Sequence, residues 1–216
     1  SLEGEEGDTG NAFASGDKLN LELPESQQKM LDTLVATGKP LVTVVAVGSA
    51  LNIPQGDAQL LAWYPGQAGG TALAKILFGE VSPSGKLPLT FYHDVNDLPE
   101  FTDYNMTNRT YRYYTGKPLY PFGYGLSYAK FDVADLKADK EKGTVKVTNT
   151  SDVDAETVVQ VYVKDQTSKW ATVNPRLAGF VRVALKAGES KDVAVKLDPL
   201  AFTVVTDAGE RIRDGK

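Results

Sequence analysis

The sequence of 216 residues is long enough for two domains, each with a buried core of its own. Its 23 Lys and Arg against 28 Asp and Glu give a net charge of −5, which argues against nucleic acid as a partner. It has no Cys and a single His, His93, which excludes disulfides and thiolate chemistry and leaves too few ligands for a metal-dependent hydrolase.

The apolar runs of the sequence are short. None reaches the roughly 20 residues of a membrane-spanning helix, and no charged-then-apolar leader precedes Ser1. We therefore predict neither a membrane anchor nor a signal peptide within this sequence, and no membrane partner.

The chain begins with a predicted loop and a helix. Residues 1 to 16 are rich in Gly and acidic residues and lack apolar periodicity, which indicates loop. Pro24 opens a helix that Gly38 ends. Its side chains predict one apolar stripe, formed by Met30, Leu31, Leu34 and Val35.

Two strands and a second helix follow, which together predict an α/β domain with crossover connections. Residues 41 to 47 and 58 to 64 are predicted as strands of a parallel sheet, buried on both faces. The Gly-rich stretch from Gly66 to Gly70 matches neither the P-loop nor the dinucleotide fingerprint, so we interpret it as a tightly packed turn and expect no cofactor. The helix after it ends at Gly79 and carries Leu73, Ile76 and Leu77.

An aromatic-rich segment separates the two halves. Residues 93 to 128 contain Tyr-Arg-Tyr-Tyr at 111 to 114 and nine residues at 120 to 128 that are mostly aromatic or Gly. Because flexible linkers are poor in aromatic residues, we predict an ordered linker that packs against domain surfaces.

The second half predicts an immunoglobulin-like β-sandwich at residues 129 to 216, after an α/β part at 1 to 92. Short alternating segments lie at near-regular spacing, namely 131–136, 144–149, 157–164, 179–185, 191–197 and 202–206. A seven-stranded sandwich needs one more strand after these, so we predict that the last strand is missing and leaves an unpaired sheet edge.

The acidic loop at the start contains the candidate catalytic groups. Glu3, Glu5, Glu6 and Asp8 lie within a few Gly-rich positions. Crowded carboxylates raise one another's pKa, which suits a general acid that works near neutral pH. A solvated acidic loop without catalytic function has the same composition, so the loop alone does not decide between the two.

Four motifs in series give the sequence a family resemblance: Ala-Trp-Tyr-Pro-Gly-Gln-Ala-Gly-Gly at 62–70, Leu-Phe-Gly at 77–79, Pro-Ser-Gly-Lys-Leu-Pro at 83–88 and Tyr-Pro-Phe-Gly-Tyr-Gly-Leu-Ser-Tyr at 120–128. In this order they resemble family 3 glycoside hydrolases, the β-glucosidase and β-xylosidase group. The resemblance implies three parts: a barrel with an Asp nucleophile, an α/β sandwich domain with the acid/base, and a fibronectin type III-like sandwich. The chain resembles the last two parts, and such an enzyme is expected to be secreted or periplasmic.

The resemblance also assigns roles to residues. It implies that the acid/base is Glu3, with Glu5 as the second candidate and Glu6 as the third. Asp17-Lys18 resembles an Asp-Arg pair of the family, and Lys loses the bidentate fork of Arg, which weakens the case for a substrate contact there. Trp63 is either a wall of an interface or pocket or a core residue at a strand end, and the residues at 111 to 114 are interpreted as packing.

The implied enzyme is a retaining exo-glycosidase for β-linked oligosaccharides or aryl glycosides. The missing barrel, as a second polypeptide or a removed segment, supplies the nucleophile about 5–5.5 Å from the acid/base. This chain alone is therefore predicted to be inactive. The alternative is a non-catalytic carbohydrate-binding or scaffolding module, for which Trp170 is the candidate indole in the sandwich.

Overall fold

The computed structural model describes residues 20–52, 55–100 and 102–215. Three α-helices lie in this part, α1 (Glu25–Val35), α2 (Gly69–Leu77) and α3 (Thr110–Tyr113). The strands are β1 (Val42–Val45), β2 (Ala58–Leu61), β3 (Phe131–Ala138), β4 (Lys142–Asn149), β5 (Ala155–Val163), β6 (Arg176–Leu185), β7 (Ser190–Lys196), β8 (Val204–Val205) and β9 (Arg211–Ile212). No helix of the described part is long and apolar enough to cross a bilayer.

The first half forms the predicted α/β arrangement. Strands β1 and β2 pair in parallel, with Val42 opposite Ala58. Helix α1 covers one face of this sheet through Leu31, which is 3% exposed and packs with Val47 and Leu51. Gly38, with φ of +65°, ends α1 as predicted, because a residue with a Cβ is strained in that conformation.

Two predictions of burial in this half are wrong. Of the stripe on α1 only Leu31 is buried, whereas Met30 is 60% exposed and Leu34 and Val35 are exposed as well. Strand β1 is not buried on both faces, since Val42 is 51% exposed. The physical reason is that no element of the described residues covers these surfaces, and a two-stranded sheet with one packed helix has one covered face.

The second half forms a β-sandwich. One sheet has the order β3-β4-β7, and β5 pairs with β6 in the other. Inward residues alternate along β4 and β7, with Val147 and Val195 at 0% exposure, and pack against Val159 and Val161 of β5. These strands confirm the alternation that the sequence predicts.

The end of the sandwich differs from the predicted pattern. The segment at 202 to 206 was expected as one strand, but a 3-10 helix at Pro199–Phe202 precedes a two-residue β8, and β9 was not predicted. Asp198 starts this helix by accepting a hydrogen bond from the Leu200 N–H at 2.9 Å. Within the described residues β5 pairs along one edge only. The missing closing strand and the domain boundaries stay predictions.

The aromatic segment packs against both halves. Leu87 donates its N–H to Tyr124 at 2.8 Å and accepts from the Gly123 N–H at 2.8 Å. Phe91 pairs in the same antiparallel manner with Tyr120. The expected packing of aromatic residues on domain surfaces is confirmed by these contacts and by Tyr128, whose hydroxyl donates to the Ile76 carbonyl on α2 at 2.9 Å.

Candidate functional site

The carboxyl ends of β1 and β2 open at one edge of the parallel sheet. The loop at residues 46–52 follows β1, and the loop at 62–68 follows β2. Ligands of open α/β sheets bind outside this edge, where the connecting loops diverge. We therefore take these two loops, with the segment that packs on them, as the candidate active-site edge.

Trp63 adopts a strained backbone at this edge. Its φ is +53°, a conformation that a bulky residue rarely adopts. Its ring meets Phe91 edge to face at 6.4 Å, and Phe91 in turn meets Tyr120 at 6.1 Å. Trp63 is half-buried, so the structure places it at the wall of this edge and not in a closed core.

A cleft of about 700 Å³ adjoins the same edge. Its lining includes Ser49 and Ala50 from the loop after β1, together with Tyr92, Met106 and other mostly apolar residues. Thr90 also lines it, is 7% exposed, and has a hydroxyl without a hydrogen-bond partner among the described residues. Among the described residues, the cleft thus has a mostly apolar wall with the Arg112 side chain and one buried hydroxyl, and none of these lining residues is a carboxylate.

The described residues contain no candidate general acid. The carboxyl groups with a shifted pKa are Asp32, Asp103, Asp139 and Glu189, and every shift is downward. Hydrogen bonds from Gln55 and Gln28 lower the pKa of Asp32, and backbone N–H donors come first for the other three. A general acid near neutral pH needs a raised carboxyl pKa, so none of these groups fits that role.

The predicted catalytic residues lie outside the described residues. This applies to Glu3, Glu5 and Glu6 and to the Asp17-Lys18 pair. Described residues begin at Asn20, which lines the cleft beside Leu21.

The structure gives the positions of other residues that the sequence analysis singled out. His93 is exposed, and no cluster of metal-ligand residues occurs in the described part of the chain. In the turn at Gly66 to Gly70, tight packing is found at Gly69, where a Cβ would collide with the Pro65 ring, and not at Gly66 or Gly70, which face open space. Tyr114 is buried and its pKa is raised by that burial, which confirms packing for this position.

Sequence reasoning missed two buried polar groups at the edge. They are the Thr90 hydroxyl and the Asn52 side-chain oxygen, both without partners among the described residues. The amide nitrogen of Asn52 donates to the His93 carbonyl at 3.0 Å. Neither residue stands in a pattern that marks function, so three-dimensional burial is the signal that reveals them.

Two family models match the sequence. The glycosyl hydrolase family 3 C-terminal domain matches residues 2–128, and the fibronectin type III-like domain matches residues 157–216. The first match covers more than half of the chain and includes the acidic loop, the active-site edge and the aromatic segment.

Curated proteins with similar sequences are named as glycosidases. A xylan 1,4-beta-xylosidase of Xylanibacter ruminicola is 40% identical over all of this chain and 26% of its own length. A periplasmic beta-glucosidase of Salmonella typhimurium is 38% identical over 88% of the chain and 28% of its own length. An exo-alpha-(1->6)-L-arabinopyranosidase of Bifidobacterium longum is 41% identical over 86% of the chain and 28% of its own length.

Solved structures agree with these sequence matches. A GH3 beta-glucosidase of Bifidobacterium adolescentis has a TM-score of 0.79 at 37% identity and covers 89% of this chain. A beta-D-glucoside glucohydrolase of Trichoderma reesei has a TM-score of 0.83 at 25% identity and covers 99%. This chain spans 32% and 35% of those two chains, and about a quarter of the curated relatives' length.

Proposed function

The chain belongs to glycosyl hydrolase family 3, and from this membership we propose that it is the carboxyl-terminal part of a retaining exo-β-glycosidase. The observation that carries the proposal is the family match over residues 2–128, which runs through the acidic loop and the sheet edge. Substrates of the whole enzyme are oligosaccharides or aryl glycosides with a terminal β-linked xylose or glucose.

The acidic loop supplies the acid/base in this proposal. Glu3 is the first candidate, Glu5 the second and Glu6 the third. The chosen carboxyl protonates the leaving oxygen and then deprotonates the water that attacks the glycosyl-enzyme. The match of the family model over residues 2–128, which includes this loop, supports the assignment.

The nucleophile lies on polypeptide outside this chain. Retention needs a second carboxylate about 5–5.5 Å from the acid/base, and the family resemblance assigns it to a barrel domain. The exposed apolar side chains of Met30 on α1 and of Val42 on β1 are consistent with further polypeptide packed on the α/β half. The chain by itself is therefore inactive.

The location of the enzyme follows the same family argument. Substrates of this class are extracellular plant polymers and their fragments, and the Salmonella relative is named periplasmic. We propose a secreted or periplasmic enzyme. Fractionation of cells that express the full-length protein with its natural amino terminus tests this location, and recovery in the cytoplasm would contradict it.

A complementation assay tests the catalytic proposal. The purified chain is assayed on nitrophenyl β-xyloside and β-glucoside alone, and then with a barrel domain that lacks this part. We expect turnover only in the mixture. Turnover by the isolated chain would show that the nucleophile lies within these 216 residues and would overturn the division of the site.

Leaving-group dependence identifies the acid/base among the three Glu residues. In the active mixture, Glu3→Gln should lower kcat on nitrophenyl glycosides by about 10²–10⁴-fold. The loss in kcat/KM, which reports the first step, should shrink on dinitrophenyl glycosides, because their leaving group needs no proton, whereas the loss in kcat should persist because the second step still needs the base. Glu5→Gln and Glu6→Gln are the matched controls, and the same selective loss in one of them would reassign the role.

A further inference from the structure

A second cleft lies at one end of the sandwich, with a volume of about 600 Å³. Residues of α3, β5, β6, the 3-10 helix and the chain around β9 line it. Six basic side chains are among them, and we call this place the basic cleft: Arg112, Lys140, Lys164, Arg176, Arg211 and Arg213.

The charge of the basic cleft is opposite to that of the chain. Six basic residues face only two acidic ones, Asp165 and Asp214, in a protein whose net charge is −5. The ion pairs Lys29–Glu25, Arg182–Glu156 and Lys191–Glu189 all lie outside this cleft. Basic side chains outnumber acidic ones in the lining by six to two, and such a cleft attracts anions.

Two of the guanidinium groups are held in place by neutral acceptors. Arg176 donates to the Leu200 carbonyl and, at 3.3 Å, to the Thr203 carbonyl. Arg211 donates to the Thr203 hydroxyl at 3.0 Å. Neutral acceptors fix the position of these groups without cancelling their charge, so binding of an anion costs little reorganisation. Burial, then the nearby Arg112 and Arg211 charges, lower the pKa of Arg176, as expected where cations crowd together.

An indole completes the basic cleft. Trp170 lines it, and the buried N–H of its ring has no acceptor among the described residues. The Lys169 ammonium lies over the ring at 4.3 Å from the centroid. Tyr113 adds a second aromatic side chain to the lining. Aromatic rings suit the apolar face of a sugar.

We propose that the basic cleft binds an acidic saccharide, a sugar chain that carries uronic acid carboxylates. The guanidinium forks of Arg112 and Arg213 pair with the carboxylates, while the Trp170 side chain contacts the sugar ring. The volume lies within the range of about 300–1,000 Å³ that is usual for small-molecule sites. This site is a binding site on the sandwich and does not depend on the catalytic proposal.

Calorimetric titration of the 216-residue chain tests the proposal with four probes: trigalacturonate, neutral xylotriose, hexaglutamate and sodium phosphate. We expect trigalacturonate to bind at least about tenfold more tightly than any of the other three, and its affinity to fall with added salt. Trigalacturonate should also change the fluorescence of Trp170, and the Trp170→Phe variant should lose that change.

Variants distinguish binding in the basic cleft from non-specific electrostatic attraction to the chain. Arg112→Gln and Arg213→Gln should each lower the affinity for trigalacturonate about tenfold, because a charged hydrogen bond is lost. Both side chains are exposed, so the substitutions should not disturb the fold. Lys146→Gln, which removes an exposed cation on β4 outside the cleft, is the matched control and should leave the affinity unchanged. Arg176 is left intact because its bonds hold the 3-10 helix.

Four outcomes would overturn the proposal. Equal affinity for xylotriose would show that charge is not recognised, and equal affinity for phosphate would indicate a simple anion site. Equal binding of hexaglutamate would mean that an acidic protein segment fills the cleft. If trigalacturonate does not bind at millimolar concentration, an acidic saccharide is excluded as the ligand.

Discussion

The ring of Tyr111 lies stacked on the ring of Phe122, with centroids 4.0 Å apart and planes 11° from parallel. The Tyr111 hydroxyl also accepts the Leu177 N–H at 3.0 Å, on strand β6 of the sandwich. Asn174 adds to this junction by donating to the Tyr111 and Tyr114 carbonyls, each at 2.8 Å. The Tyr111 side chain thus packs within the aromatic segment and links it to the sandwich through a hydrogen bond.

Two substitutions of Tyr111 should destabilise the chain to different degrees. Tyr111→Phe leaves the Leu177 N–H without its acceptor and should cost about 1–2 kcal/mol in free energy of unfolding. Tyr111→Ala also removes the stacked ring and should cost about 3 kcal/mol. Urea denaturation followed by circular dichroism measures both. Tyr104, 89% exposed in the same segment, is the control, and a Tyr104→Ala cost equal to that of Tyr111→Ala would contradict the prediction.

Asn149 should be intolerant of substitution because its side chain is fully buried, at 0% exposure. Its amide nitrogen donates to the Val153 carbonyl at 2.8 Å, and its oxygen accepts the Ser151 N–H at 3.0 Å. Asn149→Ala leaves both groups unpaired and should lower the free energy of unfolding by about 3 kcal/mol. The exposed neighbour gives the comparison: Thr150→Ala should change the free energy by less than about 0.5 kcal/mol. Equal midpoints in urea for the two variants would refute the assignment.

Two glycines of the family motifs should respond differently to the same change. A Cβ on Gly125 would collide with the backbone carbonyl of Gly85, whereas a Cβ on Gly85 would meet open space. Gly125→Ala should therefore lower the free energy of unfolding by about 1–3 kcal/mol, the usual cost of overpacking. Gly85→Ala should be neutral or stabilising by up to about 1 kcal/mol. Thermal unfolding of the pair measures the difference, and a larger loss for Gly85→Ala would contradict the geometry.

Glu189 should make stability depend on pH in the acid range. The Lys186 N–H, at 2.7 Å from the carboxylate, and Lys191, at 3.1 Å, hold its pKa below the usual 4.5. A lowered folded pKa means that the stabilisation is present above 4.5 and is lost as the pH falls through the folded value.

Urea midpoints between pH 7 and pH 3 test this dependence. The Glu189→Gln chain should lose less stability over the acid part of that range than the unmodified chain. Glu80→Gln changes an exposed carboxyl on the other half of the chain and serves as the control. Parallel curves for Glu189→Gln and the unmodified chain would show that the contacts of Glu189 contribute nothing.

The parts of the fold that local rules govern were predictable from the sequence. Gly38 and Gly79 end helices with φ of +65° and +76°, because only glycine adopts this conformation without strain. The alternation in β4 and β7 likewise indicated the inward side chains. These signals depend on a few neighbouring residues and not on the rest of the molecule.

Burial and short strands were less predictable, because they depend on distant contacts. The apolar side chain of Val42 indicated a covered strand, yet its exposure depends on whether further polypeptide lies over β1. Strands β8 and β9 have two residues each, too few for a pattern, and Arg176 helps hold the 3-10 helix before them from across the sandwich. In the candidate site, composition and family motifs marked the acidic loop, whereas the buried Thr90 hydroxyl needed coordinates.

The aromatic segment has a practical consequence for work on separate modules. A cut after residue 128 would leave the sandwich without the Tyr111 acceptor for Leu177, and a cut before residue 93 would take Tyr128 away from Ile76. Each recombinant half would then expose the surface that contacts the other part in the intact chain. Residues 93 to 128 contact both halves of the chain. Exchanges of modules between homologous enzymes should therefore transfer this segment together with the surfaces of both halves that it contacts.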